Sequence, residues 1–391
     1  MSRWPSVALD ELATINPGPE RLPRAEETIS FLGMADVSES GTTAQGTDRL
    51  YSEVKNGYTS FQNGDILVAK ITPCFQNGKI ALASVSHQYG FGSTEFHVVR
   101  PGNAVNPRYL LHYLRQPQIR VEGESRMTGS GGQRRVPTSF LSTLPVPLPS
   151  HDEQRRVVSI LDHVERLRRL RRQAIAAASA FIDSLFVQLF EPSAPAISLG
   201  EIADIASGLT KGRRLNPTAS TRSVPYMAVV NVQDRRLDLS TVKMIDATPA
   251  EIDKFALKEG DLLLTEGGDP DKLGRGTVWQ GEIPEAIHQN HIFRVRVTHK
   301  DCEPLYLNWL ISSPYGKKYF IRSAKQTTGI ASINKSQLSS FPVALPSKDD
   351  QVKFVNAVHD VQSLSSKHTR AIRHLDALFA VLQAKAFAGE L

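Results

Sequence analysis

Residues 151–190 read HDEQRRVVSILDHVERLRRLRRQAIAAASAFIDSLFVQLF, and the fold turns on this stretch. It contains no Gly and no Pro. Asp152 and Glu153 stand where a helix N-terminus favours negative charge, with Pro149 just before the stretch and Pro192 just after it. Val157, Leu161, Val164, Ile175, Ala178, Ile182, Leu185 and Leu189 recur at alternating steps of four and three, and Arg168 and Arg171 interrupt the same stripe. That spacing predicts a helix lying along a partner helix. About 38 residues at 1.5 Å each make a rod of roughly 57 Å, too long for one small core to cover and too polar to span a membrane.

A second copy lies half a chain away. Leu148-Pro149-Ser150-His151-Asp152-Glu153-Gln154 is answered by Leu345-Pro346-Ser347-Lys348-Asp349-Asp350-Gln351, an offset of 345 − 148 = 197 residues. Val355, Val358, Ile372, Leu375, Phe379 and Leu382 then continue the same three/four spacing. A repeat of this period concerns the whole protein. The expected fold is α+β: two similar domains separated by a pair of long coiled-coil-like helices in a pseudo-twofold repeat. The boundaries read as 1–150 and 191–346 for the domains, 151–190 and 347–391 for the helices. Val157, Leu161, Val164, Ile175, Ile182, Leu185, Val355, Ile372, Leu375, Phe379 and Leu382 are the expected partner-binding positions. The spacing leaves the helix direction open, parallel or antiparallel. Two unrelated helices, each on its own domain, would be the plainer alternative, but the matched entry motif argues against it.

The domains repeat each other in order. Val7–Ala13 is answered by Ile197–Ala203, each a strand-like start and a short helix. Phe31–Val37 and Tyr226–Val232 read as buried strands. Gly64-Asp65 and Gly260-Asp261 are turns before the apolar strands that begin at Ile66 and Leu262. Pro107–Leu114 and Pro304–Leu310 read as short helices, and each domain then enters a loop containing Thr-Gly, at Thr128-Gly129 and Thr328-Gly329. Between these elements the loops diverge: Ala69–Lys79 and Thr265–Gly276 have little in common. A repeated scaffold with divergent loops is what two related binding modules for different targets require.

Composition sets the limits. Apolar residues at 40% support real cores, and no stretch approaches a transmembrane helix in length. The N-terminal sequence MSRWPSVALDELATI lacks the apolar run of a signal peptide. Cys74 and Cys302 form no CxxC pair, so a reducing cytoplasm is expected and a structural zinc is not. A net charge of +6 and a pI near 9.2 lean towards a polyanionic partner. No phosphate loop, nucleotide fingerprint or catalytic motif is present, and no cofactor is expected. Asp261, Glu266, Asp269 and Asp271 surround a Gly-rich turn and raise the question of a metal-dependent nuclease. The first domain has Ala69-Lys70 at the matching place, so caps and turn residues are the simpler reading. His288 and His291 fall on a strand-like segment and should face opposite ways.

The basic residues are more suggestive. Gln133, Arg134 and Arg135 lie on the loop before the first long helix. Lys211, Arg213 and Arg214 lie on an early loop of the second domain. Lys79, Arg275, Asn334 and Lys335 complete the DNA-binding candidates. Arg, Gln and Asn read base edges, while Lys and loop amides hold phosphates. The arginines of the first long helix, Arg155 to Arg172, are expected mainly to solvate the rod or pair across it.

Taken together, the segments Leu141–Gln154 and Leu338–Gln351, the Gly-Asp turns and the long helices resemble the specificity subunits of type I restriction–modification systems, over nearly the whole chain. The resemblance implies two target-recognition domains held apart by paired helices, with no active site of their own. It also implies double-stranded DNA, two methyltransferase subunits and restriction/translocase subunits as partners. Two departures stand out: the first Thr-Gly loop is about three residues longer than the second, and Arg168 and Arg171 weaken the helical seam. The rival expectations are a helical scaffold that binds no DNA and the metal-dependent nuclease.

Overall fold

Ile66-Leu67-Val68-Ala69 is buried at every position, because its strand has a core on each face. Ile66 and Val68 join one apolar cluster with Leu9, Tyr109 and Leu141, while Leu67 joins another with Leu32, Ala81 and Val98. The second half of the chain repeats the arrangement. Leu262 and Leu264 pack with Leu199, Tyr306 and Phe341, and Leu263 packs with Met227, Val232 and Trp279. The period-two alternation of a strand thus assigns neighbouring residues to different cores.

The computed structural model describes residues 3–19, 21–130, 132–190, 196–214, 218–269, 272–327 and 330–391, with the backbone alone at 325–327 and 330. The 191–195 linker, Gly131, Asp271 and Thr328-Gly329 lie outside the described residues. The chain forms two compact units, Met1–Gln173 with His368–Leu391, and Ala174–Lys367. In the first unit, the antiparallel sheet runs in the order Ala13–Ile15, Phe96–Pro101, Ile66–Ala69, Ile80–Leu82. In the second it runs Ala203–Ser207, Ile292–Val297, Leu262–Thr265, Gly276–Val278. The register also corresponds, Ile66 opposite Val99 and Leu262 opposite Val295. Each unit adds a second sheet containing one parallel pair, Thr28–Leu32 with Tyr89–Gly92 in a four-stranded sheet and Arg222–Met227 with Ile287–His288 in a three-stranded one.

Two long helices span His151–Leu189 and Lys348–Ala388. Their shared entry motif has a local cause. Ser150 Oγ accepts the Glu153 amide at 3.3 Å, and Ser347 Oγ accepts the Asp350 amide at 3.2 Å, as N-caps do. The Gln that closes each motif is fully buried and turns back to the domain. Gln154 Nε2 donates to the carbonyls of Pro149 and Ala104, and its Oε1 accepts the Asn106 amide at 2.7 Å. Gln351 repeats this with Pro346, Asp301 and the Glu303 amide. Each Gln therefore satisfies otherwise orphaned backbone groups and fixes the angle at which its helix leaves the domain.

Within the first unit, the helix segments run antiparallel. Arg156 donates to the Leu391 carbonyl, Arg168 pairs with Asp376 at 2.6 Å, and Arg171 meets His368 at 3.3 Å. The two arginines that interrupt the apolar stripe thus find polar partners across the seam, and Arg168 also lies over the Phe379 ring at 4.9 Å. In the second unit the seam is aromatic: Phe186 and Phe190 close on Phe354, with ring centroids 5.3 and 5.4 Å apart.

Two local expectations need correction. Phe31–Val37 and Tyr226–Val232 are not continuous strands. The strands end at Leu32 and Met227, and 3-10 turns follow at Met34–Asp36 and Val229–Asn231. The turns form because Asp36 Oδ2 accepts the Gly33 amide at 2.7 Å and Asn231 Oδ1 the Ala228 amide at 2.9 Å. The helices Pro117–Ser125 and Pro314–Ser323, each with Pro in its first turn, were not expected from the pattern.

Candidate nucleic-acid interface

In the first unit, three loops are joined edge to edge by backbone hydrogen bonds. The Lys70 amide donates to the Glu95 carbonyl at 2.9 Å, the Val136 amide to the Lys70 carbonyl at 2.8 Å, and the Thr72 amide to the Arg134 carbonyl at 2.9 Å. Thr72 Oγ1 adds a bond to the Gly132 carbonyl at 2.7 Å. The second unit uses the same backbone scheme. The Glu266 amide donates to the His291 carbonyl at 3.0 Å, and the Ile333 amide to the Glu266 carbonyl at 2.9 Å. There, Gly267 pairs with Ser332 and Gly268 with Ala331. Lys70 thus corresponds to Glu266, and Glu95 to His291.

The side chains on this shared backbone differ. Arg135 forms a bidentate pair with Glu95, with Nε and Nη2 donating at 2.9 and 2.8 Å. The hydrogen bond from Arg135 holds the Glu95 carboxyl below its usual range, and Glu95 in turn raises Arg135. In the second unit Glu266 Oε2 instead meets His291 Nδ1 at 2.7 Å. A cation–carboxylate pair at one face has become a carboxylate–histidine pair at the other.

The candidate residues divide into two groups. Gln133 and Arg134 are exposed, and the Arg134 guanidinium lies 3.8 Å from Glu124 across an exposed gap. Lys211, Arg214, Asn334 and Lys335 are exposed as well, and Asn334 also caps the helix Lys335–Ser339 by accepting the Gln337 amide. The remaining candidates are engaged in the framework. Arg213 pairs bidentately with Glu251 and donates to the Asp246 carbonyl. Its hydrogen bond holds the Glu251 carboxyl down to about 2. Lys79 Nζ donates to the Met34 carbonyl at 2.8 Å, and Arg275 Nη1 to Gln233 Oε1 at 3.2 Å. These two cations are counterparts: the Ala69 amide bonds the Lys79 carbonyl as the Thr265 amide bonds that of Arg275.

Two further basic residues occupy a matching place that the local motifs do not mark. Arg21 and Arg24 are exposed after the strand Ala13–Ile15, where the second unit carries Lys211, Arg213 and Arg214 after Ala203–Ser207. Superposing the two half-chain repeats strand by strand, and not only at their helix entries, would have revealed them.

Among the described residues, Asp261, Glu266 and Asp269 do not come together as a metal site. Asp261 is buried and pairs with Arg296 at 2.7 Å, as Asp65 pairs with Arg100 at 2.9 Å. Glu266 faces His291 and Asp269 faces Lys272, while Asp271 lies outside the described residues. Buried His288 and exposed His291 point to different surroundings, and burial lowers His288 to about 4. His112, Asp162 and Glu165 do lie close enough to hold a cation. Arg108 and Arg115 already meet those carboxylates, Arg115 at 2.6 Å from Glu165. Burial would raise Asp162, but the bonds from His112 and Arg108 outweigh it and leave it at about 2. The cluster clamps the helix Pro107–Leu114 onto the first long helix.

Of the expected partner-binding positions, Val157, Leu161, Val164 and Ile182 are buried in their own units. Ile175, Leu185, Val355, Ile372, Leu375, Phe379 and Leu382 are half-buried. Buried side chains cannot meet another subunit. The large apolar side chains that the helices do leave exposed include Leu170, Phe181, Val187, Leu364, Leu378 and Val381.

Comparison with known proteins gives a consistent picture. The family described as type I restriction modification DNA specificity domain matches twice, at residues 1–178 and 196–374. The specificity subunit of the type I restriction enzyme EcoEI from Escherichia coli is 43% identical over 158 residues, which make up 40% of this chain and 26% of that protein. The chain thus aligns to only about a quarter of that relative's length. The EcoKI specificity subunit of Escherichia coli strain K12 is 23% identical over 335 residues, 80% of this chain and 72% of that protein. A chain from a solved structure of a type I R-M system is similar in fold, with a TM-score of 0.61, 18% identity, and coverage of 99% of this chain and 98% of the other. The type I restriction-modification S subunit from M. genitalium gives a TM-score of 0.55 at 15% identity, covering 99% and 96%.

Proposed function

The chain belongs to the type I restriction modification DNA specificity domain family, and on that premise we propose that it is the non-catalytic DNA-reading subunit of a type I restriction–modification complex. The observation that carries the reading is the contrast within each unit. Gln154 and Gln351, Asp65–Arg100 and Asp261–Arg296 repeat their bonds, while the side chains on the joined loops change. A framework held constant under variable exposed loops suits two readers of two different sequences. One unit would read each part of a bipartite target, and the long helices would set the unread gap between the parts.

The exposed Arg134, Gln133, Lys211, Arg214 and Lys335 would supply the base and phosphate contacts. Arg135, Arg213, Lys79 and Arg275 would position the loops, because their charged ends are already bonded within the chain. Two methyltransferase subunits would dock on the shared helices, over exposed side chains such as Phe181 and Leu378, and restriction/translocase subunits would join through them. Among the described residues no helix is long and apolar enough to cross a membrane. Both cysteines are free, which fits work in a reducing cytoplasm.

Titrating the full chain with duplex DNA at rising salt tests the reading. A DNA reader loses affinity steeply, linearly in log–log form, as phosphate contacts are screened. A scaffold without DNA binding would show no such dependence, and strand cleavage in magnesium would support the nuclease instead.

A further inference from the structure

Between Glu303 and Asp349 the second half of the chain holds no Asp or Glu, yet it carries Lys317, Lys318, Arg322, Lys325, Lys335 and Lys348. Only Lys348 has an acidic partner among the described residues, Glu303 at 2.6 Å; no ion pair there involves Lys317, Lys318, Arg322 or Lys335. The structure explains how this charge is gathered. The helix Pro314–Ser323 buries one face: Gly316 and Phe320 are enclosed, Tyr315 donates to the Pro342 carbonyl, and Tyr319 donates to the Gln337 carbonyl at 2.9 Å. Lys318 and Arg322, one turn apart, are exposed on the remaining face, with Lys317 half-buried beside them. Gln337 Nε2 also donates to the Ser323 carbonyl. That bond ties the end of this helix to the start of Lys335–Ser339, where Lys335 is exposed. The hairpin Lys325–Thr327 with Ile330–Ser332 begins two residues beyond Ser323. Its second strand is the one joined to Gly267-Gly268 in the candidate interface.

The first unit does not share this charge. Its matching helix, Pro117–Ser125, presents Glu122 and Glu124 with Arg120. Arg120 donates to the Gln76 carbonyl, and Glu124 accepts from Gln76. That helix braces a neighbouring loop, and the exposed Arg126 at its C-cap is a single cation that follows Glu122 and Glu124 in sequence.

We propose that Lys317, Lys318 and Arg322 form a phosphate track for duplex DNA, specific to the second unit, that grips the backbone beside the candidate interface. The proposal rests on the DNA-reading function above and adds an asymmetry to it: sequence-independent grip comes chiefly from one unit. Unopposed cations one turn apart, on a rigid helix next to the loops, suit phosphate contacts, which position a protein without reading sequence.

The test compares the full-length chain with its K317A/K318A/R322A variant on duplexes with and without the recognised sequence. Each lost phosphate contact should flatten the log affinity against log salt by about 0.9, so the slope should shrink by roughly two to three. The loss should be equal on both duplexes. K317Q/K318Q/R322Q keeps the side-chain stems and carries the same test if the alanine variant is unstable. Lys367→Ala, an exposed cation on the second long helix, should leave the slope unchanged. Unchanged slope in the triple variants, or a loss confined to the specific duplex, overturns the phosphate track and leaves the DNA reading intact. If the unaltered chain binds neither duplex, the DNA reading itself fails.

Discussion

The two units share their skeleton down to single hydrogen bonds and differ in the side chains the skeleton carries. Asp65 and Asp261 each sit buried in a Gly-Asp turn, accept an amide three residues back, and pair with an arginine on the neighbouring strand. Tyr109 and Tyr306 each donate to the strand before a long helix, at the carbonyls of Pro147 and Ala344. Buried polar groups are costly to leave unpaired, so such positions tolerate little change. Where the constraint ends, the units part. The first unit sets Arg135 on Glu95 and has a polar helix seam through Arg168, Arg171, Asp376 and His368. The second sets His291 on Glu266 and fills its seam with Phe186, Phe190 and Phe354. The comparison shows that backbone geometry can be copied while surface chemistry is rewritten.

The sharpest way to break this comparison is to exchange one unit's reading part. Replacing residues 1–150 with the matching segment of a relative should replace one half of the recognised sequence and leave the other as it was. Selection of bound duplexes from a random pool would show this. A change in both halves would mean the units do not read independently.

A smaller effect is expected at the seams. Phe186 is buried among Phe190, Tyr306, Trp309 and Phe354, so Phe186→Ala should cost roughly 3–5 kcal/mol in unfolding free energy. Arg168→Ala removes a partly exposed ion pair and a cation over Phe379, and should cost about 1 kcal/mol. Urea denaturation of the two variants would check the contrast. Equal costs would mean that the polar seam is as strong as the aromatic one.

The loops should give the most local change, in binding and not in folding. Arg134→Ala removes an exposed guanidinium and should cost about 1–3 kcal/mol of discrimination at one base pair if it reads a base edge. A uniform loss over all sequences would make it a phosphate contact. Arg135→Ala should instead blur the whole half-site read by the first unit, because it frees the loop from Glu95. Competition binding against single-base variants separates the two patterns. Identical profiles would remove the distinction between a contacting and a positioning residue.

Much of this is legible in the sequence. The three/four spacing located both long helices, and Leu-Pro-Ser-x-[Asp/Glu]-[Asp/Glu]-Gln marked the repeat, because a capped helix entry leaves a local signature. Pro107–Leu114 and the apolar strand that begins at Leu262 are also legible, being short apolar stretches with clear flanks. The 3-10 turns at Met34–Asp36 and Val229–Asn231 were hidden, since apolar residues continue through them and only Asp36 or Asn231 bends the chain. The site was legible in type but not in role. Arg134 and Arg135 are adjacent and identical in sequence, yet one is exposed and the other is held by a carboxylate 40 residues away. Nothing local in the sequence announces Glu95 as that partner. The helix direction was likewise settled only by cross-helix pairs such as Arg168 with Asp376.

The central claim is that two units on one repeated framework read two separate sequences. Sequencing methylated bases in the genomic DNA of cells that make this chain with its methyltransferase subunits tests it most directly. The account predicts one bipartite motif: two short specified parts separated by a gap of fixed length and unspecified bases. A single uninterrupted motif, or two parts at variable spacing, would contradict it.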